Sequence, residues 1–350
     1  MHKASVIWES LAIATLPVLF FFTFLFYTDP GSVFFTLLTY YLHLRGCRWL
    51  SALAGAMAVL FRQTNVVWVG FCVLEVISEE VAVFVQRHRL KNESTPKPTQ
   101  LSFILHCVRV LLLRAKLSDL LWFCVRLLHL AAPHLLVCCG FVAFVLYNGS
   151  IVVGAKTDHQ AALHFAQVYY FAAFCVASSV SHHASVQNVA RFLNFLRSNI
   201  LTVLTFIVVS AWLLWNFSFA HRYLISDNRH YTFYIWSKIL NRHPLARVAL
   251  IPAYLFAFWC VNVGLAHKSV LWRAAYFLCV VVTLVPSPLL ELRYFIAPYL
   301  FWRLSGNFSS KLPLYIELVL NLLINALTLH VFIFKTFSWP DSDDLQRFMW

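Results

Sequence analysis

The densest group of polar side chains in this chain is the stretch SDNRHYTFYIW, residues 226–236. It places a carboxylate (Asp227), an amide (Asn228), a guanidinium (Arg229) and an imidazole (His230) side by side, ahead of four aromatic side chains that begin at Tyr231. Arginine binds phosphate through two parallel hydrogen bonds, and carboxylates and amides bind sugar hydroxyls. The alternative is an interfacial loop whose Tyr and Trp side chains form an aromatic belt. We favour a site, with Asp227 as a candidate base and the other four as candidate substrate contacts.

A second polar stretch, FRQTN at residues 61–65, lies between two apolar segments. It supplies Arg62, Gln63 and Asn65 as further candidate contacts. A lone arginine there could simply extend its charged end to the membrane interface. Its two amide neighbours make a binding role equally tenable, so both interpretations stay open.

A third stretch, GAKTDHQAALHFAQ at residues 154–167, combines Lys156, Asp158, His159, His164 and Gln167. The two histidines are five residues apart, so they do not share a helix face at zinc-ligand spacing, and no metal site is expected. A sugar or phosphate contact and ordinary loop solvation are both compatible with the pattern. Asp158 is a candidate base, and the other four are candidate substrate contacts.

Two further groups of charges lie near the carboxyl end. LELRYF (290–295) places Glu291, a candidate base, two residues before Arg293, a candidate contact, although an ion pair that fixes a helix end is slightly favoured. DSDD (341–344) contains D-S-D, a pattern with which some glycosyltransferases bind a metal. Close acids in a polar tail are usually only solvated, so we reject a metal role there.

The composition requires these stretches to be positioned by membrane helices. The 350 residues are 61% hydrophobic and 12% charged, with a mean hydropathy of +0.73, as in integral membrane proteins. A spanning helix needs about 20 apolar residues. We predict an all-α, polytopic transmembrane bundle that forms one domain, residues 1–350, with about 11 membrane segments. These apolar segments lie at 6–27, 33–44, 49–61, 65–78, 118–147, 165–180, 200–219, 248–266, 270–286, 293–304 and 313–335.

The charge pattern predicts how the segments are oriented. Arg62 favours a break between 49–61 and 65–78, because a charge in the middle of the bilayer is costly. With the amino terminus cytosolic, most of the 27 Lys and Arg residues lie on the cytosolic side, including a basic loop at 79–117. The polar stretches 28–32, 61–65, 154–165, 226–231 and 290–295 then lie on the opposite face, and 336–350 is a polar tail.

The net charge of +13 and the nine cysteines do not require other partners. Membrane orientation explains the positive charge better than nucleic acid does, so no nucleic-acid partner is expected. The cysteines lie mostly within or beside apolar runs and form no C-x-x-C pair. We interpret them as small buried hydrophobic residues rather than disulfides or metal ligands.

Several stretches together resemble the endoplasmic-reticulum dolichyl-phosphate-glucose α-1,2-glucosyltransferases over nearly the whole chain. They are FRQTNVVWV, the pattern G-x-K-x-x-H-x-x-x-L-H-F-x-Q-x-Y-Y-F (154–171), HRYLISDNRHYTFYIW, ELRYFIAPY and KTFSWPDSDDLQRFMW. The resemblance implies a multi-pass, GT-C-like glycosyltransferase of the endoplasmic-reticulum membrane with a lumenal active face. It would add the terminal glucose to the lipid-linked oligosaccharide of N-glycosylation. The donor would be dolichyl-phosphate-glucose and the acceptor a dolichyl-diphosphate-linked glycan, with no cofactor, nucleotide sugar or metal.

Two differences from the family pattern remove carboxylates. The family's first lumenal loop carries an Asp-Glu motif, and this chain begins after it, so we expect a fragment or a truncated gene model. Ala155 also stands where the family usually has Asp. Both differences bear on the activity of this chain. The remaining base candidates are Asp227, Asp158 and Glu291, and we rank all three below the missing motif.

The resemblance also implies a reaction that converts a β-linked glucosyl phosphate into an α-linkage by one in-line displacement. Such a step needs a base on the acceptor hydroxyl and charge stabilisation of the departing phosphate. Arg229 is the preferred cation, with Arg293 and Arg62 as alternatives. For the acceptor sugars the candidates are Asn228, His230, His159 and Gln167.

Two other function classes remain open. A lipid or solute transporter would show related halves and ionisable residues at the bilayer midplane. We see no internal repeat, and the charges gather at segment ends. A non-catalytic membrane partner, such as a channel accessory subunit, is compatible with a chain that lacks the acidic motif.

Overall fold

The computed structural model describes residues 2–90, 94–153, 161–308, 310–340 and 344–350. These residues are predominantly helical, with one small two-stranded sheet. The helices are α1 (His2–Ala14), α2 (Pro17–Thr23), α3 (Asp29–Leu44), α4 (Arg48–Phe61), α5 (Val66–Arg87), α6 (Ser102–Leu113), α7 (Leu117–Asn148), α8 (Ala166–Ser178), α9 (Val180–His183), α10 (Val186–Ser198), α11 (Ile200–Asn216), α12 (Arg222–Ser226), α13 (Tyr231–Ile235), α14 (Ala246–Ala249), α15 (Ile251–Gly264), α16 (Val270–Leu284), α17 (Ile296–Ser305) and α18 (Lys311–Phe334). Short 3₁₀ turns occupy Gln63–Asn65 and Leu292–Phe295, a π-helical turn occupies Trp236–Leu240, and the strands are β1 (Thr336–Ser338) and β2 (Leu345–Arg347).

The chain forms two compact units, and the single membrane domain stays a prediction. The first unit comprises Met1–Asp29, Gln160–Gly264 and Leu284–Trp350, and the second comprises Pro30–His159 and Leu265–Thr283. Apolar runs follow one another at similar hydropathy along the whole chain, so composition carries no signal at these boundaries.

The helices are those of a membrane protein. Among the described residues, α7 and α18 are long and apolar enough to cross a bilayer. Two bent pairs raise this number to four if each is one span: Val6–Ala14 with α2, bent by 66°, and α10 with α11, bent by 93°. Five further apolar helices have 10–17 residues, which is short for a hydrocarbon core about 30 Å thick. The count of about 11 segments therefore stays a prediction.

Part of the predicted basic loop at 79–117 is helical. Helix α5 continues to Arg87, and α6 occupies much of the remainder. Phe103, Cys107 and Val110 of α6 pack with Phe84 and Val85 of α5 in one buried cluster. Their i, i+4 and i, i+3 spacing forms a helical apolar face. The surrounding basic residues lower the hydropathy of this segment and so hide that face.

The predicted break at Arg62 is confirmed. Arg62 has an extended backbone, with φ −149° and ψ 123°, between the end of α4 and the 3₁₀ turn that leads into α5. The buried Asn65 amide nitrogen donates to Ser32 Oγ (2.7 Å) and to the Ala58 carbonyl (2.8 Å). These bonds connect the turn to α3 and α4, and both α4 and α5 pack against α7.

Within the predicted polar tail, the described residues 336–340 and 344–350 contain a small antiparallel pair of strands. Strands β1 and β2 pair antiparallel, with Phe337 opposite Gln346. Beyond β2, the Met349 amide donates to the Arg229 carbonyl (2.9 Å), and the Tyr231 amide donates to the Met349 carbonyl (3.0 Å). The chain end is thereby held against the 226–231 stretch, within the first unit.

Candidate functional site

The Asp227 carboxylate and the Arg229 guanidinium form a two-pronged ion pair. Arg229 Nε lies 2.9 Å from Asp227 Oδ1, and Arg229 Nη2 lies 2.7 Å from Oδ2. The backbone amide of Arg229 also donates to Asp227 Oδ1 (3.1 Å), a local bond by which an aspartate stabilises a turn. Because α12 ends at Ser226 and α13 begins at Tyr231, these polar residues form the short connection between two helices.

This ion pair makes Asp227 less suitable as a catalytic base. Partial burial alone would raise the pKa of the Asp227 carboxyl, but the hydrogen bonds and charge of Arg229, with a contribution from His230, lower that pKa below its ordinary value. A carboxylate with a lowered pKa and an engaged guanidinium is a weak proton acceptor. Asp227 is therefore better suited to orient Arg229 than to act as a base.

The carboxyl-terminal residues complete the surroundings of Arg229. Its Nη1 donates to Gln346 Oε1 (3.2 Å), and its guanidinium carbon lies 4.9 Å from the centre of the Trp339 ring. Trp339 Nε1 in turn donates to Asn228 Oδ1 (2.8 Å). A guanidinium has five N–H donors. Within the described part of the chain three of them are engaged, so one donor on each Nη remains for an anion.

The neighbouring His230 and Tyr231 also contact the chain end. His230 Nδ1 lies 2.8 Å from the carbonyl oxygen of Trp350, and the Tyr231 ring packs edge-on against the Trp350 indole at 5.1 Å. His230 Nε2 lies 3.6 Å from Asp227 Oδ2. The structure therefore brings together all five site residues predicted in the 226–231 stretch.

A second charged cluster surrounds Arg293. Its Nη2 donates to Glu291 Oε2, and its Nη1 lies 3.6 Å from Asp29 Oδ2. The Phe22 and Tyr27 rings lie 5.1 and 5.0 Å from its guanidinium carbon. The Asp29 side chain is only 2% exposed and that of Arg293 15%. With the Glu291 and Asp29 carboxylates beside it, Arg293 is a fixed positive charge.

Tyr27 is associated with both charged clusters. Its ring contacts Arg293, and it contributes to the raised pKa of the Arg229 guanidinium, after the hydrogen bonds of Asp227 and the opposing effect of burial. The two guanidinium groups, 64 positions apart in the chain, both belong to the first unit.

His164 and Gln167 hold the segment that leads to Glu291. Both side chains are fully buried. Gln167 Nε2 donates to the carbonyls of Leu289 (2.8 Å) and Ser287 (3.4 Å). The backbone amide of His164 donates to the Val285 carbonyl (3.0 Å), and its ring stacks on Phe219 at 4.4 Å. These contacts position the 285–291 segment, and a direct substrate contact by either side chain stays a prediction.

The buried His164 predicts a pH-dependent stability. Burial lowers the pKa of the imidazole to about 4, although the backbone of Pro288 and Ser287 opposes the effect. In the unfolded chain the pKa is about 6.5, so the unfolded state binds more protons between these values. The contribution of His164 to stability is therefore present above pH 6.5 and lost as the pH falls towards 4.

We expect the melting temperature of the purified protein to decrease over this pH range, and to decrease less in His164→Asn. The exposed His267→Asn is the control and should retain the wild-type slope. Thermal melts in detergent at a series of pH values measure the effect. Equal slopes in wild type and His164→Asn would contradict the assignment.

An apolar cavity of about 580 Å³ adjoins both clusters. Leu290 and Leu292, which flank Glu291, contribute to its wall, as do Thr232 next to Tyr231 and the terminal Trp350. Farther along, the wall includes aromatic and aliphatic side chains of α8, α15 and α18, among them Phe174, Tyr254 and Leu320. All of these residues belong to the first unit. The arrangement is a mainly apolar chamber whose wall includes the Glu317 carboxylate and whose lining residues adjoin the Arg229 and Arg293 clusters in the chain.

The remaining predicted site residues are not among the described residues of the first unit. Arg62, Gln63 and Asn65 belong to the second unit, where Asn65 has the turn-stabilising bonds given above. Lys156, Asp158 and His159 lie outside the described residues.

Sequence reasoning did not include several residues of this site, namely Phe22, Tyr27, Asp29, Trp339, Gln346 and Trp350. Asp29 had a detectable signal, since it follows an apolar run in TDPGS on the same predicted face as Glu291. The resemblance of the closing KTFSWPDSDDLQRFMW marked the chain end without indicating its contacts.

Comparison with known proteins gives a consistent set of relatives. The DIE2/ALG10 family pattern matches residues 1–304. Proteins named Dol-P-Glc:Glc(2)Man(9)GlcNAc(2)-PP-Dol alpha-1,2-glucosyltransferase are 39% identical in Rattus norvegicus (342 residues), 38% in Homo sapiens (347 residues) and 34% in Drosophila melanogaster (352 residues). Each alignment covers 98% of this chain. It covers 72% of the rat protein, 72% of the human protein and 75% of the Drosophila protein. No solved structure matches the chain.

Proposed function

The chain belongs to the DIE2/ALG10 family, and from this membership we propose that it transfers glucose from dolichyl-phosphate-glucose to a diglucosylated, dolichyl-diphosphate-linked oligosaccharide, forming the terminal α-1,2 linkage. The observation that carries the proposal is the apolar cavity beside the Arg229 and Arg293 clusters. A polyprenyl phosphate has the matching chemistry, with a long apolar tail and an anionic head.

The arginines act on the departing phosphate. As the acceptor hydroxyl oxygen forms its bond to glucose C1, the bond from C1 to the phosphate oxygen breaks and negative charge grows on the phosphate. Guanidinium donors already held in place stabilise that charge without reorganising. Asp227, Glu291 and Asp29 hold Arg229 and Arg293 in position, and Trp339 covers one face of the Arg229 guanidinium.

The carboxylates of the Arg229 and Arg293 clusters are poorly placed to supply the base. Asp227 and Glu291 are both engaged by arginines, and Asp29 is nearly inaccessible. Asp158, the third base candidate, lies outside the described residues. We therefore assign the engaged carboxylates to orientation. Asn228 and His230 border the same site and stay candidate contacts for the acceptor sugars.

The proposal includes a GT-C-like architecture with about 11 membrane segments in the endoplasmic-reticulum membrane and the site on the lumenal face. Basic residues concentrated on the other face of the predicted topology support this orientation. Dolichol-linked substrates also support a lumenal site, because they require no cytosolic nucleotide sugar.

Topology is testable by cysteine labelling in sealed microsomes. Asn228→Cys and Thr95→Cys would be introduced singly after the exposed Cys47, Cys124 and Cys139 are changed to serine. We expect an impermeant maleimide to label position 95 and to reach position 228 only after the membrane is permeabilised. Equal labelling of both positions in sealed vesicles would contradict the predicted alternation.

The activity itself is tested in cells that lack this glucosyltransferase. The chain, and the same chain extended upstream in its natural reading frame, would be expressed at matched abundance. We expect the diglucosylated lipid-linked glycan to gain a third glucose. Failure of both versions, at normal abundance and with an active relative as positive control, would overturn the proposed function.

The cavity predicts dependence on the length of the donor lipid. Ala173→Phe places a ring in the cavity wall and should exclude part of the tail. Losing contact with two methylenes costs about 1.6 kcal/mol, which corresponds to roughly a tenfold higher KM for the dolichyl donor. A glucosyl phosphate with a very short prenyl chain should be affected much less. Ala190→Phe, on the exposed surface of α10, is the control. An equal effect on both donors would argue against tail binding in this cavity.

A further inference from the structure

The second unit contains three potential metal ligands that come from three different helices. They are His43 in the last turn of α3, Cys72 in α5 and His134 in α7. One ligand atom from each lies within 4.8 Å of the other two. The His43 side chain is 7% exposed, and Cys72 and His134 are completely buried.

The hydrogen bonds of His134 leave one ring nitrogen available as a ligand. Ser51 Oγ donates its single proton to the Thr39 carbonyl (2.7 Å). It must therefore accept in its second bond, from His134 Nε2 at 2.8 Å. In the neutral ring, Nδ1 is then the unprotonated nitrogen. This atom is buried and has no hydrogen-bond partner among the described residues.

The His43 ring lies beside a carboxylate. Its Nε2 lies 3.4 Å from Glu75 Oε2, and its Nδ1 is also buried without a partner in the described part of the chain. Metal-binding histidines characteristically donate their other ring N–H to a carboxylate or another acceptor, which fixes the tautomer and the ring direction. His134 has that arrangement through Ser51, and the Nε2 of His43 faces a carboxylate oxygen at 3.4 Å.

The charges of the group favour a divalent cation. Glu75 is buried, and its Oε1 accepts from Trp272 Nε1 (2.9 Å) and Tyr40 Oη (3.3 Å). The described residues give it no Lys or Arg partner within 4 Å. A buried carboxylate without a cation is costly. A dication bound to a Cys72 thiolate beside the Glu75 carboxylate would make the group neutral.

We propose that His43, Cys72 and His134 bind one zinc ion, which connects α3, α5 and α7 of the second unit. Nitrogen and thiolate ligands suit zinc, at about 2.0–2.1 Å and 2.3 Å respectively. Three protein ligands leave a fourth position for water. The site goes beyond the proposed glucosyl transfer, and its residues are separate from those assigned to that reaction.

Metal analysis of the full chain tests this proposal. The protein would be purified in detergent with an affinity tag that contains no histidine, washed with a weak chelator and analysed by mass spectrometry for zinc, copper, iron and manganese. We expect about one zinc per chain in the wild type. Loading with Co²⁺ should produce a thiolate-to-cobalt absorption band. Stoichiometric copper instead of zinc, or no transition metal in the wild type, would overturn the proposal.

Matched variants locate the ion. Cys72→Ser, nearly isosteric, should lose the thiolate band and most of the zinc, whereas Cys279→Ser, which removes another buried thiol of the same unit, should keep both. His134→Asn should lose zinc, and the exposed His129→Asn on the same helix should not. Ser51→Ala and Glu75→Gln keep all three ligands but should weaken zinc binding about 10–100-fold. Zinc unchanged in folded Cys72→Ser and His134→Asn would show an adventitious ion only.

Discussion

Replacement of Arg229 with lysine is expected to lower the rate of glucose transfer about ten- to a hundredfold. Lysine keeps the positive charge but loses the planar fork that holds Asp227 through Nε and Nη2 and leaves one donor on each Nη for an anion. Losing one charge-assisted hydrogen bond to the departing phosphate costs about 1.5–3 kcal/mol, which gives this range of rates. The measurement is transfer from dolichyl-phosphate-glucose to the diglucosylated acceptor, with protein abundance determined in parallel.

Arg222 provides the matched control for this experiment. It is exposed, lies seven residues upstream and contacts the neighbouring Tyr223. Arg222→Lys should leave transfer nearly unchanged. Normal transfer by both Arg229→Lys and Arg229→Ala at normal abundance would remove Arg229 from the phosphate site. Its pair with Asp227 would then be a structural feature of the connection between α12 and α13.

Replacement of Arg293 is expected to have the larger effect, because this residue neutralises two carboxylates. Arg293→Ala leaves Asp29 buried without its cation, and breaking such a buried pair costs about 3–5 kcal/mol of stability. We expect low abundance as well as a loss of transfer greater than about a hundredfold. The exposed Arg242→Lys, in a loop of the same unit, should be silent in both measurements.

A double variant separates stability from chemistry at Arg293. Arg293→Gln combined with Asp29→Asn removes the cation and the buried charge together, so abundance and melting temperature should recover towards wild type. Transfer should stay low if the guanidinium stabilises the departing phosphate. Recovery of transfer together with stability would show that Arg293 acts only by holding Asp29 and Glu291 in the fold.

Much of the local organisation could be predicted from residues close together in the chain. The 226–231 stretch does form one cluster, because its polar residues occupy the short connection between two helices, where backbone groups outside the helices favour side-chain partners. Arg62 does interrupt the apolar stretch 49–78, since a charge within a continuous span is expensive. Glu291 and Arg293 do form the ion pair that their spacing suggests.

In the described parts of 79–117 and 336–350, the structure contains contacts that the sequence did not indicate. In the first stretch, basic side chains obscured an amphipathic helix, α6, whose apolar face becomes apparent only when its partners on α5 are known. In the second, a polar composition suggested a solvated tail. At the chain end, the Met349 backbone and the Trp350 ring contact residues 229–231, more than a hundred positions earlier.

The sequence by itself determined the helical membrane class, the family and the main polar stretches, because hydropathy, charge and motif resemblance are properties of neighbouring residues. Only the tertiary structure decided that Asp29 pairs with Arg293, that the chain end surrounds Arg229, and that His43, Cys72 and His134 meet. The physical reason lies in the helices themselves. When a helix is apolar on nearly every side, its sequence does not indicate which face packs inward. Which distant side chains come together then depends on helix packing, which local patterns do not encode.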